Sequence, residues 1–238
     1  MRLFFVAAFI LFAIVAAPAF GQEKLAPRVS GELSAYPYLD RVPDDVDVTL
    51  TVNARLSRRF SYFSYQNFRG VFSTGDARFD RSEQNLRFAV SEKLPIDLNL
   101  QAVIVKGDGN DLWLLGIGWR LHDTGFLKDF FDRLNLKYRL TFQLKRFASF
   151  DEDALQLEHF FKMRFPRESE RFYLSGFIDQ TFNSDLPNTI SHNPIVTEIQ
   201  FGARLFGQFN AVAEYRINQR RTSENHNFAL GIEYSFRW

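Results

Sequence analysis

Apolar and polar residues alternate one by one along most of this 238-residue chain. The clearest stretch runs from Leu134 to Lys145, where every second residue is leucine, tyrosine or phenylalanine and the residues between them are polar or charged. A period of two residues is the period of a β-strand, whose side chains point to alternate faces. Because the pattern recurs along the chain in segments of roughly ten residues, the sequence predicts an all-β fold.

The pattern predicts twelve strands, and a strand count between ten and twelve is compatible with it. Eleven follow the alternation, and one, at 29–38, follows it only weakly. His159 and Phe160 break the rule in their segment, and helical spacing is confined to Phe126–Leu134. The predicted strands lie at 29–38, 46–57, 60–69, 85–91, 97–104, 113–122, 134–145, 155–165, 171–182, 198–205, 209–218 and 227–238.

The first residues have the pattern of a secretory signal peptide: Arg2, an unbroken apolar run from Leu3 to Ala17, and then small residues. Cleavage after Gly21 fits best, and cleavage after Ala19 also fits. The alternative is an uncleaved membrane anchor, but the run is shorter than the ~20 residues that cross a bilayer as a helix. We therefore expect residues 1–21 to be a signal peptide and residues 22–238 to form the exported barrel.

Composition removes several classes of function. The chain has no cysteine, which excludes disulfides, thiolate metal sites and thiol nucleophiles. Its net charge of +1 argues against a nucleic-acid partner, and its mean hydropathy of −0.21 is too polar for a bundle of membrane helices. We expect no metal, no cofactor and no enzymatic activity. The 28 phenylalanines still need an explanation.

Aromatic residues at both ends of single strands favour a barrel that crosses a membrane. Phe172 and Phe182 lie ten residues apart on one face, as do Phe228 and Trp238. At ~3.3 Å per residue they are about 33 Å apart along the strand, and a tilt of ~40° reduces this to roughly 25 Å. That is the height of the apolar band of outer-membrane barrels, which is bordered by aromatic girdles. The prediction is a single antiparallel up-and-down transmembrane β-barrel.

Connection lengths fit this arrangement. Membrane barrels have short periplasmic turns, longer external loops and both chain termini on the periplasmic side. The periplasmic connections are predicted near 57–58, 93–95, 122–133, 166–170 and 206–208. The external loops are predicted near 39–45, 70–82, 106–111, 148–153, 183–194 and 219–226.

The end of the chain resembles the signal read by the barrel-assembly machinery, because Tyr234, Phe236 and Trp238 alternate with polar residues up to the last position. The sequence is thus similar to the Gram-negative outer-membrane β-barrels, with a departure in its terminal Trp where Phe is commoner. The resemblance implies a location in the bacterial outer membrane, and it implies membrane lipid, lipopolysaccharide and the assembly machinery as partners.

Basic residues on the predicted inner face suggest a narrow channel for small, anionic solutes, since rings of Arg and Lys select anions. The layout is similar to the small twelve-stranded acidic-oligosaccharide porins, although no motif is shared. The candidate channel-lining residues are Arg55, Arg87, Arg120, Lys137, Arg139, Lys145, Lys162, Arg164, Arg204 and Arg216.

Three other functions remain open. The lumen could be plugged by paired charges, which would leave a structural or adhesive barrel. An outer-membrane hydrolase could place His192 and His226 with Asp185 and Glu224 at the external rim, although no histidine has a serine two residues away. A soluble lipid carrier is the last alternative, since alternating strands also build such barrels.

Overall fold

The computed structural model describes residues 28–37, 46–69, 78–105, 111–147, 155–165, 171–183, 191–220 and 225–237. The predicted signal peptide and Trp238 lie outside these ranges, as do the predicted external loops except at their edges. The division of the chain at residue 21 therefore stays a prediction.

Twelve antiparallel strands close into one barrel within the described residues, as the alternation predicted. Each strand pairs with its neighbours in sequence, and the first pairs with the last. The strands are β1 (Arg28–Pro37), β2 (Val46–Arg55), β3 (Phe60–Arg69), β4 (Arg78–Ala89), β5 (Ile96–Val105), β6 (Leu112–Arg120), β7 (Leu136–Phe147), β8 (Leu155–Arg164), β9 (Phe172–Phe182), β10 (Ile195–Phe206), β11 (Phe209–Asn218) and β12 (His226–Arg237). We call the end where β1 begins and β12 ends the terminal end.

The two faces of the sheet are inverted relative to a water-soluble barrel. Cross-strand partners share a face, so the register assigns each strand residue to the inside or the outside. Leu98, Trp113 and Ile232 face outward and are 46, 49 and 56% exposed. Among the described residues, 25 polar or charged residues are buried against ten apolar ones. An apolar exterior around a polar interior defines a transmembrane β-barrel.

Aromatic side chains border the outer face at both ends, as predicted. At the terminal end the rings of Phe60 and Phe88 lie 4.8 Å apart, and those of Phe209 and Tyr234 lie 5.1 Å apart. At the opposite end Trp113 is the cross-strand partner of Phe147. These aromatic bands account for part of the phenylalanine content of the chain.

The predicted start of the fourth strand was wrong. β4 begins at Arg78, so residues 78–82, expected in an external loop, belong to the strand. Ser82 and Gln84 occupy its outward positions, and the Gln84 amide donates to the Ser82 hydroxyl at 2.6 Å. Because these outward residues are polar, the alternation that marks the other strands is missing here.

A bulge in β7 reverses the faces near the end of that strand. Leu115 pairs with Lys145 but Gly116 pairs with Gln143, so Leu144 is the additional residue. A bulge places two residues opposite one and shifts the later side chains to the other face. Lys145 therefore faces outward, which makes its predicted place in the lumen wrong, and Arg146 faces inward, 2% exposed.

One connection at the terminal end contains a helix. A short 3₁₀ turn at Leu121–Asp123 leads into α1 (Gly125–Arg133), close to the predicted Phe126–Leu134. Asn135 follows with φ 48°, a left-handed conformation that ends helices. Within the described residues, no helix has the length and apolar character needed to cross a membrane.

Candidate functional site

Nine of the ten candidate basic residues face the inside of the barrel, Lys145 being the exception. Their cross-strand partners fix this orientation, as for Lys137 opposite Lys162 and Arg120 opposite Arg139. The inward residues are Arg55, Arg87, Arg120, Lys137, Arg139, Lys162, Arg164, Arg204 and Arg216. Their role in solute passage stays a prediction at this point.

The larger cavity of the lumen has a volume of about 850 Å³ and lies at the terminal end. Seven basic residues line it against three acidic ones, so its lining carries a formal charge of +4. The basic residues are Arg55, Arg58, Arg59, Arg87, Arg120, Lys137 and Arg139, and the acidic ones are Glu92, Asp97 and Asp123. Arg58 and Arg59 were missed from the sequence because they lie in a turn, where strand parity gives no orientation.

The smaller cavity opens at the same end and has a volume of about 260 Å³. Its lining contains five basic and two acidic residues, a formal charge of +3. The basic residues are Lys162, Arg164, Arg171, Arg204 and Arg237, and the acidic ones are Glu32 and Glu233. These two cavities at the terminal end are therefore both basic.

Part of this positive charge is paired. Asp97 forms an ion pair with Arg139 at 2.9 Å and accepts a hydrogen bond from Arg120, which also reaches Asp123 at 2.7 Å. Arg55 and Lys137 have no ion pair within the part of the chain that the structure describes. These two side chains are also exposed, so they can attract a solute ion from the water of the cavity.

The lack of a side chain at Gly118 leaves space for Arg139 to lie along the inner wall. A Cβ atom at this glycine would overlap the guanidinium of Arg139. Gly202 has the same relation to the ring of Tyr173, whose hydroxyl donates at 2.7 Å to Glu233 on β12, three strands away along the inner wall. Glycine at these two inward positions makes room for the large polar side chains of the neighbouring strands.

An ion pair in the lining of the smaller cavity joins two distant strands. Lys162 on β8 donates to Glu32 on β1, and four strands lie between them on the shorter way round. A second contact crosses the lumen between β3 and β8, where the rings of Phe63 and Phe160 lie 5.9 Å apart and edge to face. Opposite walls therefore touch, and the lumen is narrow.

His159 and Phe160, which break the alternation, do so without a bulge. Phe160 pairs with Phe177 on the inner face, and His159 pairs with Ile178 on the outer face. The strand geometry is regular, but a phenylalanine occupies a lumen position and a histidine occupies a membrane position. The anomaly in the sequence thus marked the narrow part of the lumen.

The charged side chains that line the lumen are balanced differently toward the end opposite to the terminal end. Arg216 is surrounded by three carboxylates: Glu214 at 2.6 Å, Glu198 at 2.8 Å and Asp47 at 3.6 Å. This predicted channel residue is therefore neutralised by its neighbours. Positive charge is concentrated at the terminal end of the lumen.

The residues of the hydrolase alternative do not form a described site. His226 faces outward on β12, where its Nδ1 atom lies 2.7 Å from the Tyr215 hydroxyl. Asp185 and Glu224 lie outside the described residues. Across the described strands, turns and helix, no three His, Asp or Glu side chains are grouped to hold a metal ion.

The predicted assembly signal is described in part. Tyr234 and Phe236 lie on β12 near the terminal end and face outward with Leu33 and Gly31 of β1. Trp238 lies outside the described residues, and the recognition of these residues by an assembly machinery stays a prediction.

Fold and lumen together define the class as a small transmembrane β-barrel with a charged interior, and solved structures share this architecture. A structure described as "KdgM porin" superposes with a TM-score of 0.51 at 11% identity, covering 87% of this chain and 99% of that one. A structure described as "NanC porin" gives 0.51 at 7% identity, covering 88% and 99%. At this identity the likeness shows the fold. No protein-family model matches the sequence, and a search of curated proteins found no match.

Proposed function

We propose that this protein is an outer-membrane channel that admits small anionic solutes through a basic mouth at the terminal end. The observation that carries the proposal is the excess of basic residues in both cavities, +4 in the larger and +3 in the smaller. A low-dielectric wall lined by one sign of charge concentrates ions of the other sign, and rings of Arg and Lys make pores anion-selective.

The number of strands in the barrel and its similarity to solved structures support the same function. A barrel of twelve strands lies between eight-stranded barrels, which side chains fill, and sixteen-stranded porins, which leave an aqueous channel. Such a lumen suits small solutes, and the two structural neighbours are both described as porins. The surrounding partners are outer-membrane lipid and lipopolysaccharide, and the assembly machinery reads Tyr234, Phe236 and Trp238.

A second candidate is a structural barrel that does not conduct. It is favoured by the contacts across the lumen, Phe63 with Phe160 and Lys162 with Glu32, which join opposite walls. In this alternative the basic residues fill the lumen and are neutralised by carboxylates, as Arg216 is.

Single-channel recording distinguishes the two candidates. Folding of the purified protein is first checked on a detergent gel, where an unheated folded barrel migrates differently from the heated, unfolded chain. The folded protein is then added to a planar lipid bilayer in 1 M KCl. The channel predicts discrete current steps of uniform size. Folded protein that inserts into vesicles without producing any steps overturns the channel and leaves the structural barrel.

A further inference from the structure

The segment between β6 and β7 is attached to the outside of the barrel. Trp119 faces outward on β6 and donates its indole N–H to the Thr124 hydroxyl at 2.8 Å. Tyr138 faces outward on β7, and its ring lies 6.1 Å from the ring of Phe131 in α1. Because both contacts involve outward aromatic residues, α1 lies against the outer wall at the terminal end and not across the mouth.

The helix α1 has one apolar face. Apolar residues occur at positions 126, 127, 130 and 131, the i, i+1, i+4 and i+5 spacing of one helical stripe. Phe131 is buried against the barrel, but Phe126 and Phe130 are 82 and 58% exposed. Two neighbouring exposed phenylalanines on a nine-residue helix need an apolar partner.

The polar face of α1 has no net charge. Lys128 and Arg133 are balanced by Asp129 and Asp132, and the Lys128 ammonium donates to the Asp132 carboxylate. This hydrogen bond raises the pKa of Lys128 above its ordinary value, at which the side chain is already charged at neutral pH. Attraction between the helix and an anionic surface is therefore weak, and apolar area decides what the helix binds.

We propose that α1 is an interfacial anchor that lies in the membrane surface at the terminal end, with Phe126 and Phe130 inserted among the lipid chains. The partner is a glycerophospholipid leaflet, and a zwitterionic one suffices because the helix is neutral. Continuity with the aromatic girdle carries the proposal: Phe131 packs on Tyr138, and Tyr138 stacks on Phe161 at 6.5 Å on the lipid-facing wall. The anchor works whether or not the lumen conducts.

The absence of cysteine allows a direct test on the full chain. Phe126→Cys and Asp132→Cys place a nitroxide spin label on the apolar and the polar face of the same helix. Each protein is refolded into phosphatidylcholine vesicles. A difference in detergent-gel mobility between unheated and heated samples shows that the barrel is folded. Collisions of the label with oxygen, which partitions into lipid, are compared with collisions with a water-soluble nickel complex.

The proposal predicts opposite preferences on the two faces. The label at 126 should collide more with oxygen than with nickel, and the label at 132 should show the reverse order, unchanged by 1 M salt. A second variant, Phe126→Cys with Phe130→Ser, should shift the label at 126 toward nickel. Equal nickel accessibility at 126 and 132 in folded barrels overturns the proposal. Spin–spin broadening at 126 that increases with the protein-to-lipid ratio also overturns it, because the partner is then a second copy of the chain.

Discussion

Two lysines on β7 carry the same charge on opposite sides of the barrel wall. Lys137 lines the larger cavity, and Lys145 faces outward beyond the bulge. Both side chains are exposed, and neither has an ion pair among the described residues, so replacing either by serine removes one charge with little effect on packing. Lys137→Ser should weaken the preference of the channel for anions, and Lys145→Ser should leave it unchanged.

Coulomb's law gives the size of the effect. A sphere with the cavity volume of about 850 Å³ has a radius of about 6 Å, which we take as the distance from the lysine to a solute ion. Two unit charges about 6 Å apart in water interact by about 0.7 kcal/mol, a factor of about three in occupancy. In 10 mM salt the screening length is about 30 Å and most of this remains, whereas at 1 M it is about 3 Å and little remains.

The assay is the zero-current potential across a planar bilayer in a KCl gradient centred near 10 mM. The lysine attracts chloride and repels potassium by about threefold each, so the chloride-to-potassium permeability ratio of Lys137→Ser should fall by up to about tenfold relative to the unchanged protein. For Lys145→Ser the ratio should equal that of the unchanged protein, and all three proteins should converge near 1 M. Equal shifts in the two variants would refute the assignment of the faces, and no shift in Lys137→Ser would refute electrostatic selection at this mouth.

Three further predictions concern the same lumen. Glu92→Gln removes a carboxylate at the mouth of the larger cavity and should raise the chloride-to-potassium permeability ratio in 10 mM KCl by up to about tenfold; a lower ratio contradicts a basic, anion-attracting mouth. Phe63→Ala with Phe160→Ala opens the contact between opposite walls and should enlarge the single-channel current, whereas the outward control Phe161→Ala should not; equal currents in all three proteins count against a constriction there. Gly202→Val overpacks the inner wall and should lower the free energy of unfolding by about 1–3 kcal/mol. Folded and unfolded barrels differ in gel mobility, so the urea concentration at which half of the protein is unfolded can be read from gels and should decrease. An unchanged urea midpoint contradicts the close contact between Gly202 and Tyr173.

Strand number and the sorting of faces were predictable because both depend on local periodicity. Each strand whose outward residues are apolar was found, including the weak first strand, whose closure with β12 supplies an even count. The start of β4 was not found, because Ser82 and Gln84 replace apolar residues on its outer face. A polar outer face removes the only signal that a single sequence gives for such a strand.

Orientation near bulges and turns was not predictable. A strict period of two placed Lys145 inside, but the bulge places Lys145 outside and Arg146 inside. The hydrogen-bond register between β6 and β7 determines this, and the sequence of β7 alone does not show it. Arg58 and Arg59 were missed for the related reason that a turn has no alternating faces.

Contacts across the lumen depend on how the barrel closes. Phe63 and Phe160 are almost a hundred positions apart in sequence, and only the closed barrel brings their rings to 5.9 Å. The sequence did contain a sign of this contact, since Phe160 interrupts the alternation of its strand. An apolar residue at an expected lumen position can thus indicate a constriction.

A membrane barrel with a basic mouth should favour anions, and the zero-current potential of the unchanged protein in a KCl gradient at low salt measures this preference. We expect a potential with the sign of chloride permeation, which diminishes as the salt concentration rises. A potential with the sign of potassium permeation would show that the basic mouth does not select anions.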